Sequence, residues 1–124
     1  MKSLTMSLLV VLVACRSPTG VRYTCTDVEV MGIRLTVLDS TTGAAISGST
    51  IRAIAMEGSY ADTVEWTIGS LIKMVGERPG TYALTVAATG YQPWLRQDIR
   101  VVMEDQCHVR PVSVTAMMQR ASGP

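Results

Sequence analysis

Short segments in which apolar and polar residues alternate constrain the fold of this chain more than any other sequence feature. Ile33, Leu35 and Val37 occupy every second position of one segment, and Thr81 to Ala88 repeats the pattern. A period of two is typical of a half-buried β-strand, and no stretch shows the 3.6-residue period of a helix. Ten glycines and five prolines punctuate the chain. The pattern predicts an all-β domain built as a β-sandwich.

The predicted strands follow one another between turns rich in glycine. They lie at residues 33–38, 51–56, 64–68, 71–75, 81–88, 99–103 and 111–117. Gly43 and Gly80 close two tight turns that could need a positive φ, which glycine adopts without steric cost. Gly90 is expected to turn the chain so that Tyr91 packs back under the sheet edge. Trp66, in phase with Val64 and Ile68, is expected to face the core.

The first fifteen residues differ from this pattern and predict export. Lys2 supplies a positive charge, and a mostly apolar run from Leu4 to Val13 follows it. This run is about ten residues long, whereas a helix that spans a bilayer needs about 20. Such a segment is typical of a signal peptide, and the residues around its end resemble the lipobox of bacterial lipoproteins. They read Leu12-Val13-Ala14-Cys15.

The lipobox resemblance implies a location and a domain division. Residues 1–14 are the expected signal peptide, 15–24 the lipidated start and tether, 25–118 the β-sandwich, and 119–124 a frayed tail. Cys15 is the expected lipidation site, with palmitate among its acyl chains, which anchors the protein in a membrane of the cell envelope. Arg16 follows it, as in proteins forwarded to the outer membrane in many bacteria.

The charge balance excludes two kinds of partner. The chain has 11 basic and 10 acidic residues, and both signs are spread along it. A nucleic-acid-binding protein concentrates positive charge, so nucleic acid is not an expected partner. The same spread excludes a polybasic membrane patch.

Two further cysteines, Cys25 and Cys107, remain once Cys15 carries lipid. An even pair in an oxidising compartment predicts an intramolecular disulfide that ties the start of the domain to its last strands. Two alternatives stay open at the level of sequence. Both thiols could stay reduced, or one could pair with another chain.

Three motifs follow one another along the chain. They are Leu35 to Asp39 leading through Thr42-Gly43 to Ile46-Ser47-Gly48, then Gly80-Thr81-Tyr82 with Gly90-Tyr91, then Cys107-His108-Val109 with Val112-Ser113-Val114. In this order they resemble the carboxypeptidase regulatory-like domains. The resemblance implies a transthyretin-like (prealbumin-like) Greek-key β-sandwich of about seven strands, over residues 33–117. In that family the fold is an accessory module, which implies a non-catalytic role.

The residues that could carry catalysis or bind metal are few. His108 is the only histidine, and zinc sites need three or four ligands, so we expect it to pack near the disulfide or face solvent. A Ser-His-Asp triad lacks the Gly-x-Ser-x-Gly elbow. No calcium-binding loop motif is present. We therefore predict no enzyme, no cofactor and no metal. The carboxylates near strand ends, expected to be solvated loop charges and turn caps, are Asp39, Asp98, Glu104 and Asp105.

Tyr91 and Trp94 are the best candidates for ligand binding. Two aromatic side chains on one loop could form a stacking platform for a sugar, although core packing is the simpler expectation for each. The prediction is thus a non-catalytic lipoprotein that acts as a protein-interaction or structural module with an unidentified envelope protein. The alternative is a small carbohydrate- or peptidoglycan-binding module that uses these aromatics.

Overall fold

The computed structural model describes residue 20 and residues 22–123, and its regular structure consists of eight β-strands. The predicted signal peptide, Cys15 and residues 16–19 lie outside the described residues. Within them the prediction of an all-β sandwich is confirmed. The strands are β1 (Met31–Asp39), β2 (Ile51–Glu57), β3 (Tyr60–Trp66), β4 (Leu71–Gly76), β5 (Gly80–Ala88), β6 (Trp94–Met103), β7 (Val109–Arg110) and β8 (Val112–Met118).

The strands form two sheets that enclose one core. The three-stranded sheet has the order β4-β1-β8, and the five-stranded sheet has the order β3-β2-β5-β6-β7. β1 is antiparallel to β4 and parallel to β8. The described residues include eight strands rather than about seven, because the two-residue β7 pairs with the end of β6. The Greek-key connectivity implied by the resemblance stays a prediction.

The core follows the alternation seen in the sequence. Ile33, Leu35 and Val37 on β1 are fully buried, and Tyr82, Leu84 and Val86 on β5 face them from the other sheet. Burial of such side chains is the main source of stability, at about 1.5–3 kcal/mol for each large aliphatic residue. β3 ends at Trp66, which is half-buried and packed against the core. Ile68 lies beyond that end and is exposed, contrary to the predicted alternation.

Gly43 has the predicted positive φ, at 70°, and Gly90, which was expected to turn the chain, has a φ of 84°. The prediction for Gly80 was wrong, because the positive φ values of that region occur at Val75 and Glu77. Gly80 instead leaves room for the end of the Glu57 side chain. A Cβ there would collide with the carboxylate of Glu57, which accepts a hydrogen bond from the Thr81 amide.

The strand directions define two ends of the molecule. β1 spans nine residues, or about 30 Å at 3.3 Å per residue. We call the end at Met31 the disulfide pole, because Cys25, Cys107 and the β4–β5 turn lie there. We call the other end the Asp39 pole, and it contains the starts of β2 and β6 and the ends of β5 and β8.

The segment that follows β8 is paired rather than free. Gln92 N donates to Gln119 O at 2.8 Å, and Ala121 N donates to Gly90 O at 2.9 Å. Tyr91 and Arg120 thereby form an isolated antiparallel bridge. The part of the expected frayed tail nearest β8 is therefore fixed at the Asp39 pole, because the β5–β6 turn supplies backbone partners.

Candidate binding sites at the two poles

The disulfide pole is built around the Cys25–Cys107 bridge. The two Cα atoms lie 5.4 Å apart, and the bridge joins residues 82 positions apart in the sequence. The predicted pairing is thus confirmed, and the alternatives of free thiols or an intermolecular bond do not describe this structure. The bridge attaches the exposed N-terminal segment to the loop between β6 and β7.

His108 lies beside this disulfide, as predicted, and both of its ring nitrogens have partners. Nδ1 lies 2.6 Å from Glu77 Oε1, and Nε2 lies 2.9 Å from Thr26 Oγ1. Glu77 also accepts hydrogen bonds from the backbone amides of Val30 and Val109. The hydrogen bond with His108 is the largest cause that lowers the pKa of Glu77. A single carboxylate therefore joins the N-terminal segment, the β4–β5 turn and β7.

The order hydroxyl, imidazole and carboxylate at Thr26, His108 and Glu77 resembles the connectivity of a catalytic triad. Acyl-transfer chemistry also needs N–H donors for the oxyanion. The nearby amides of Cys107 and His108 both donate to Asp105 Oδ1, at 2.7 and 2.8 Å. These two amides already have an acceptor. The hydrogen bonds among Thr26, His108 and Glu77 hold together the N-terminal segment, the β4–β5 turn and the start of β7.

The Asp39 pole contains a buried carboxylate with a full set of donors. Asp39 is 2% exposed. Its Oδ1 accepts the amides of Thr41 and Thr42 at 2.7 and 3.2 Å. Its Oδ2 accepts the Tyr91 hydroxyl at 2.8 Å and Nε of Arg120 at 2.8 Å. The Tyr91 hydrogen bond is the largest of the causes that lower the pKa of Asp39 from 3.8 to about 2.

Arg120 is held by this carboxylate but remains open to solvent. Its Nη2 lies 2.8 Å from Asp39 Oδ2, and its side chain is 61% exposed. It forms one wall of an open, mainly polar depression of about 510 Å³. The other lining residues are Asp39, Thr42, Ala44, Ala45, Ile46, Ser47, Ser49, Gly90 and Tyr91. The expectation that Asp39 caps a turn is confirmed by the amides of Thr41 and Thr42. The expectation that it is solvated was wrong, because the β5–β6 turn and the C-terminal segment cover it.

Tyr91 and Trp94 do not form one stacking platform. Tyr91 is half-buried, donates to Asp39 and lines the depression beside Arg120. Trp94 begins β6 and lines a separate depression of about 230 Å³ with Gln92, Pro93, Met117 and Gln119. Both rings pack partly against the core. The structure therefore supports the packing role expected for each and separates the surfaces that they expose.

The remaining candidate carboxylates, Glu104, Asp105 and Asp98, have different environments. Glu104 forms an ion pair with Arg110, and Asp105 caps the turn that precedes β7. Asp98 is exposed with a φ of 58° at an irregular point of β6. Among residues 22–123, no three side chains of His, Cys, Asp or Glu come together in a way that could hold a metal ion.

Strand edges form a third candidate surface. The strands with an open edge include β3, β4, part of β6, and β8. The first three carry charged residues, whereas Val112–Met118 carries none. β8 pairs with β1 through seven consecutive residues. This edge carries no charge, but Pro111 precedes it, and Trp94 at the start of β6 lies beside Met117 near its end.

No protein-family model matches the chain, and no curated protein is significantly similar to it. Within the described residues, no helix is long and apolar enough to cross a membrane.

Proposed function

We propose that this chain is a non-catalytic lipoprotein of the bacterial cell envelope, anchored through Cys15, whose β-sandwich binds another envelope protein. The observation that carries this proposal is the open edge of β8. The leader and lipobox support the anchor, and the disulfide is consistent with an oxidising compartment. The carboxypeptidase regulatory-like resemblance remains part of the proposal, because that family supplies accessory modules. The outer membrane is the proposed location.

The partner that fits β8 is an extended segment that adds a strand to the three-stranded sheet. In this mode, backbone hydrogen bonds provide affinity and alternate side chains provide specificity. β8 offers seven residues without charge or proline. At its far end, the pairing of Gln119 and Ala121 with the β5–β6 turn closes the edge. Trp94 of β6 also lies beside Met117, so an added strand is limited to the part of β8 that precedes Met117.

The charges on the outer face of this sheet indicate the composition of the partner. Arg34 and Lys73 face each other on β1 and β4, and both are exposed. Neither forms an ion pair within the described residues. Like charges directly opposite each other are unfavourable in a sheet. A strand added to β8 would lie about 10 Å from β1, so acidic side chains on its outer face would be attracted to Arg34 through longer-range electrostatics.

Site-specific cross-linking in intact cells tests the proposal. A photoreactive amino acid replaces Thr115 at the centre of β8, and in a matched control it replaces Thr63 at the centre of β3. Both threonines are exposed on edge strands. We expect one reproducible envelope-protein adduct from position 115 only. Arg34→Glu should reduce it, since the charge complementarity is reversed. Equal adducts from both positions, or none from position 115, would refute a β8 docking edge.

The anchor has its own test. Cys15→Ser should move the protein from the membrane fraction to the soluble fraction and abolish labelling by a palmitate analogue. Cys25→Ser should leave both properties unchanged, since Cys25 belongs to the disulfide. Membrane retention of the Cys15→Ser protein would exclude lipid as the anchor.

The alternative function, a carbohydrate- or peptidoglycan-binding module, has one observation in its favour. Tyr91 lines a polar depression, and Trp94 lines a second one. If saccharides stack on Trp94, they should shift its fluorescence, and Trp94→Phe should remove the shift. Trp66→Phe is the matched control, because Trp66 lies at the end of β3 and lines neither depression.

A further inference from the structure

We propose that the depression beside Arg120 is a binding site for a small ligand that carries a carboxylate. This inference goes beyond the proposed partner on β8, because the depression lies at the Asp39 pole and involves other side chains. It does not require the lipid anchor.

The guanidinium group of Arg120 has a free edge suited to a carboxylate. Nε and Nη2 both lie 2.8 Å from Asp39 Oδ2. Arginine has five N–H donors, so this side-on contact leaves both protons of Nη1 and one proton of Nη2. These lie on the end of the group, where arginine binds a carboxylate through two parallel hydrogen bonds. No second acceptor for the group occurs among the described residues.

Arg120 is already held in position before any ligand binds. Asp39 fixes its guanidinium, and the bridge to Tyr91 fixes its backbone. Asp39 is held in turn by the amides of Thr41 and Thr42. Binding to a group that is already ordered costs less conformational entropy than binding to a free arginine.

The composition of the depression favours a carboxylate over a cation. Asp39 is the only acidic residue that lines it, and both of its oxygens are occupied by donors from the protein. The remaining polar side chains are three hydroxyls: Thr42 accepts from the Ala44 amide, Ser49 donates to Thr89 O, and Ser47 has no partner among the described residues. Hydroxyls can donate to an anion or accept from the rest of the ligand. The free donors therefore exceed the free charged acceptors, as a carboxylate site requires.

Carboxylates in the cell envelope come from peptide ends and from sugar acids, and two probes separate these sources. The full chain in detergent micelles is titrated with N-acetyl-alanyl-alanine and, separately, with glucuronate, while the Nε–Hε signal of Arg120 is followed by NMR. The neutral counterparts are N-acetyl-alanyl-alanine amide and glucose. We expect saturable shifts with one or both acids and an affinity about tenfold lower for the matching neutral compound. The acid that binds more tightly identifies the source.

Three variants make the test specific. Arg120→Lys keeps the charge but loses the planar fork, so titrations of this variant, followed through the backbone amide signal of Tyr91, should show no preference for the acid. Ser47→Glu leaves the Asp39–Arg120 pair intact and places a negative charge in the depression, so it should weaken binding of the acid only. Arg110→Lys is the matched control, because Arg110 is 63% exposed and paired with Glu104. The proposal is overturned if acid and neutral probes bind equally, if no probe shifts the Arg120 signal, or if the Arg110 variant behaves like the Arg120 variant.

Discussion

Removing the Cys25–Cys107 disulfide should lower the stability of the folded chain by a large and calculable amount. The bridge joins residues 82 positions apart. In the chain-entropy description, closing a loop of this length in the unfolded state contributes about 4.5 kcal/mol to the free energy of unfolding. About 100 ordered residues give an unfolding entropy near 0.2 kcal/mol/K, so this corresponds to about 20 °C in Tm.

Part of that stabilisation is offset in the native state. The segment between Cys25 and Val30 is exposed, and the bridge holds it in place. Its hydrogen bonds to His108 and Glu77 hold most of this segment without the bridge, so we expect only about one residue beside Cys25 to regain backbone freedom, at about 1–2 kcal/mol. The expected decrease in Tm is therefore about 10–20 °C.

The assay is thermal unfolding of the full chain followed by circular dichroism, with and without reductant. The double variant Cys25→Ser/Cys107→Ser should unfold at the temperature of the reduced protein. Reductant should then have no further effect on it. A decrease of less than about 5 °C, equivalent to about 1 kcal/mol in a domain of this size, would refute the reasoning.

Three other perturbations test the fold. Because the folded-state pKa of Asp39 is lowered to about 2, the contribution of its ionised carboxylate to the free energy of unfolding should be complete above about pH 4 and lost as the pH falls towards 2. In the Tyr91→Phe variant, NMR titration of the Asp39 carboxyl carbon should give a higher pKa than in the native chain. Gly80→Ala should lower the free energy of unfolding measured in urea by about 1–3 kcal/mol, because the Cβ of the new alanine displaces Glu57 from its hydrogen bonds. The same substitution in a Glu57→Ala background should lower it by less. Leu84→Ala, at a fully buried position, should cost about 2–5 kcal/mol, and a cost below 1 kcal/mol would contradict its place in the core.

The strands could be predicted from the sequence because their signal is local. Alternation along β1 and β5 depends only on which face of the strand meets the core, and each predicted strand has a counterpart in the structure. Gly80 shows the limit of this approach. A Pro-Gly pair indicates a turn, whereas the carboxylate that excludes a side chain there comes from Glu57, on another strand.

The candidate site at the Asp39 pole could not be predicted in the same way. Asp39 and Arg120 are 81 positions apart, and their contact depends on the parallel pairing of β1 with β8. A local signal existed for Asp39 alone, since Asp-Ser-Thr-Thr-Gly is typical of a turn in which the aspartate accepts backbone amides. Arg120 had none, because a polar segment after the last predicted strand gives no indication of what it contacts.

The β8 edge and the depression beside Arg120 are separated by the segment that follows β8. Up to Met118 the strand has β1 on one side and no hydrogen-bonded strand on the other, although Trp94 of β6 lies beside Met117. Beyond it, Gln119 and Ala121 pair with the β5–β6 turn, which places Tyr91 between the open edge and the depression beside Arg120. A strand added to β8 therefore stops before the depression. It follows that a substitution at Thr115 should change partner capture without changing carboxylate affinity, and that Arg120→Lys should do the reverse.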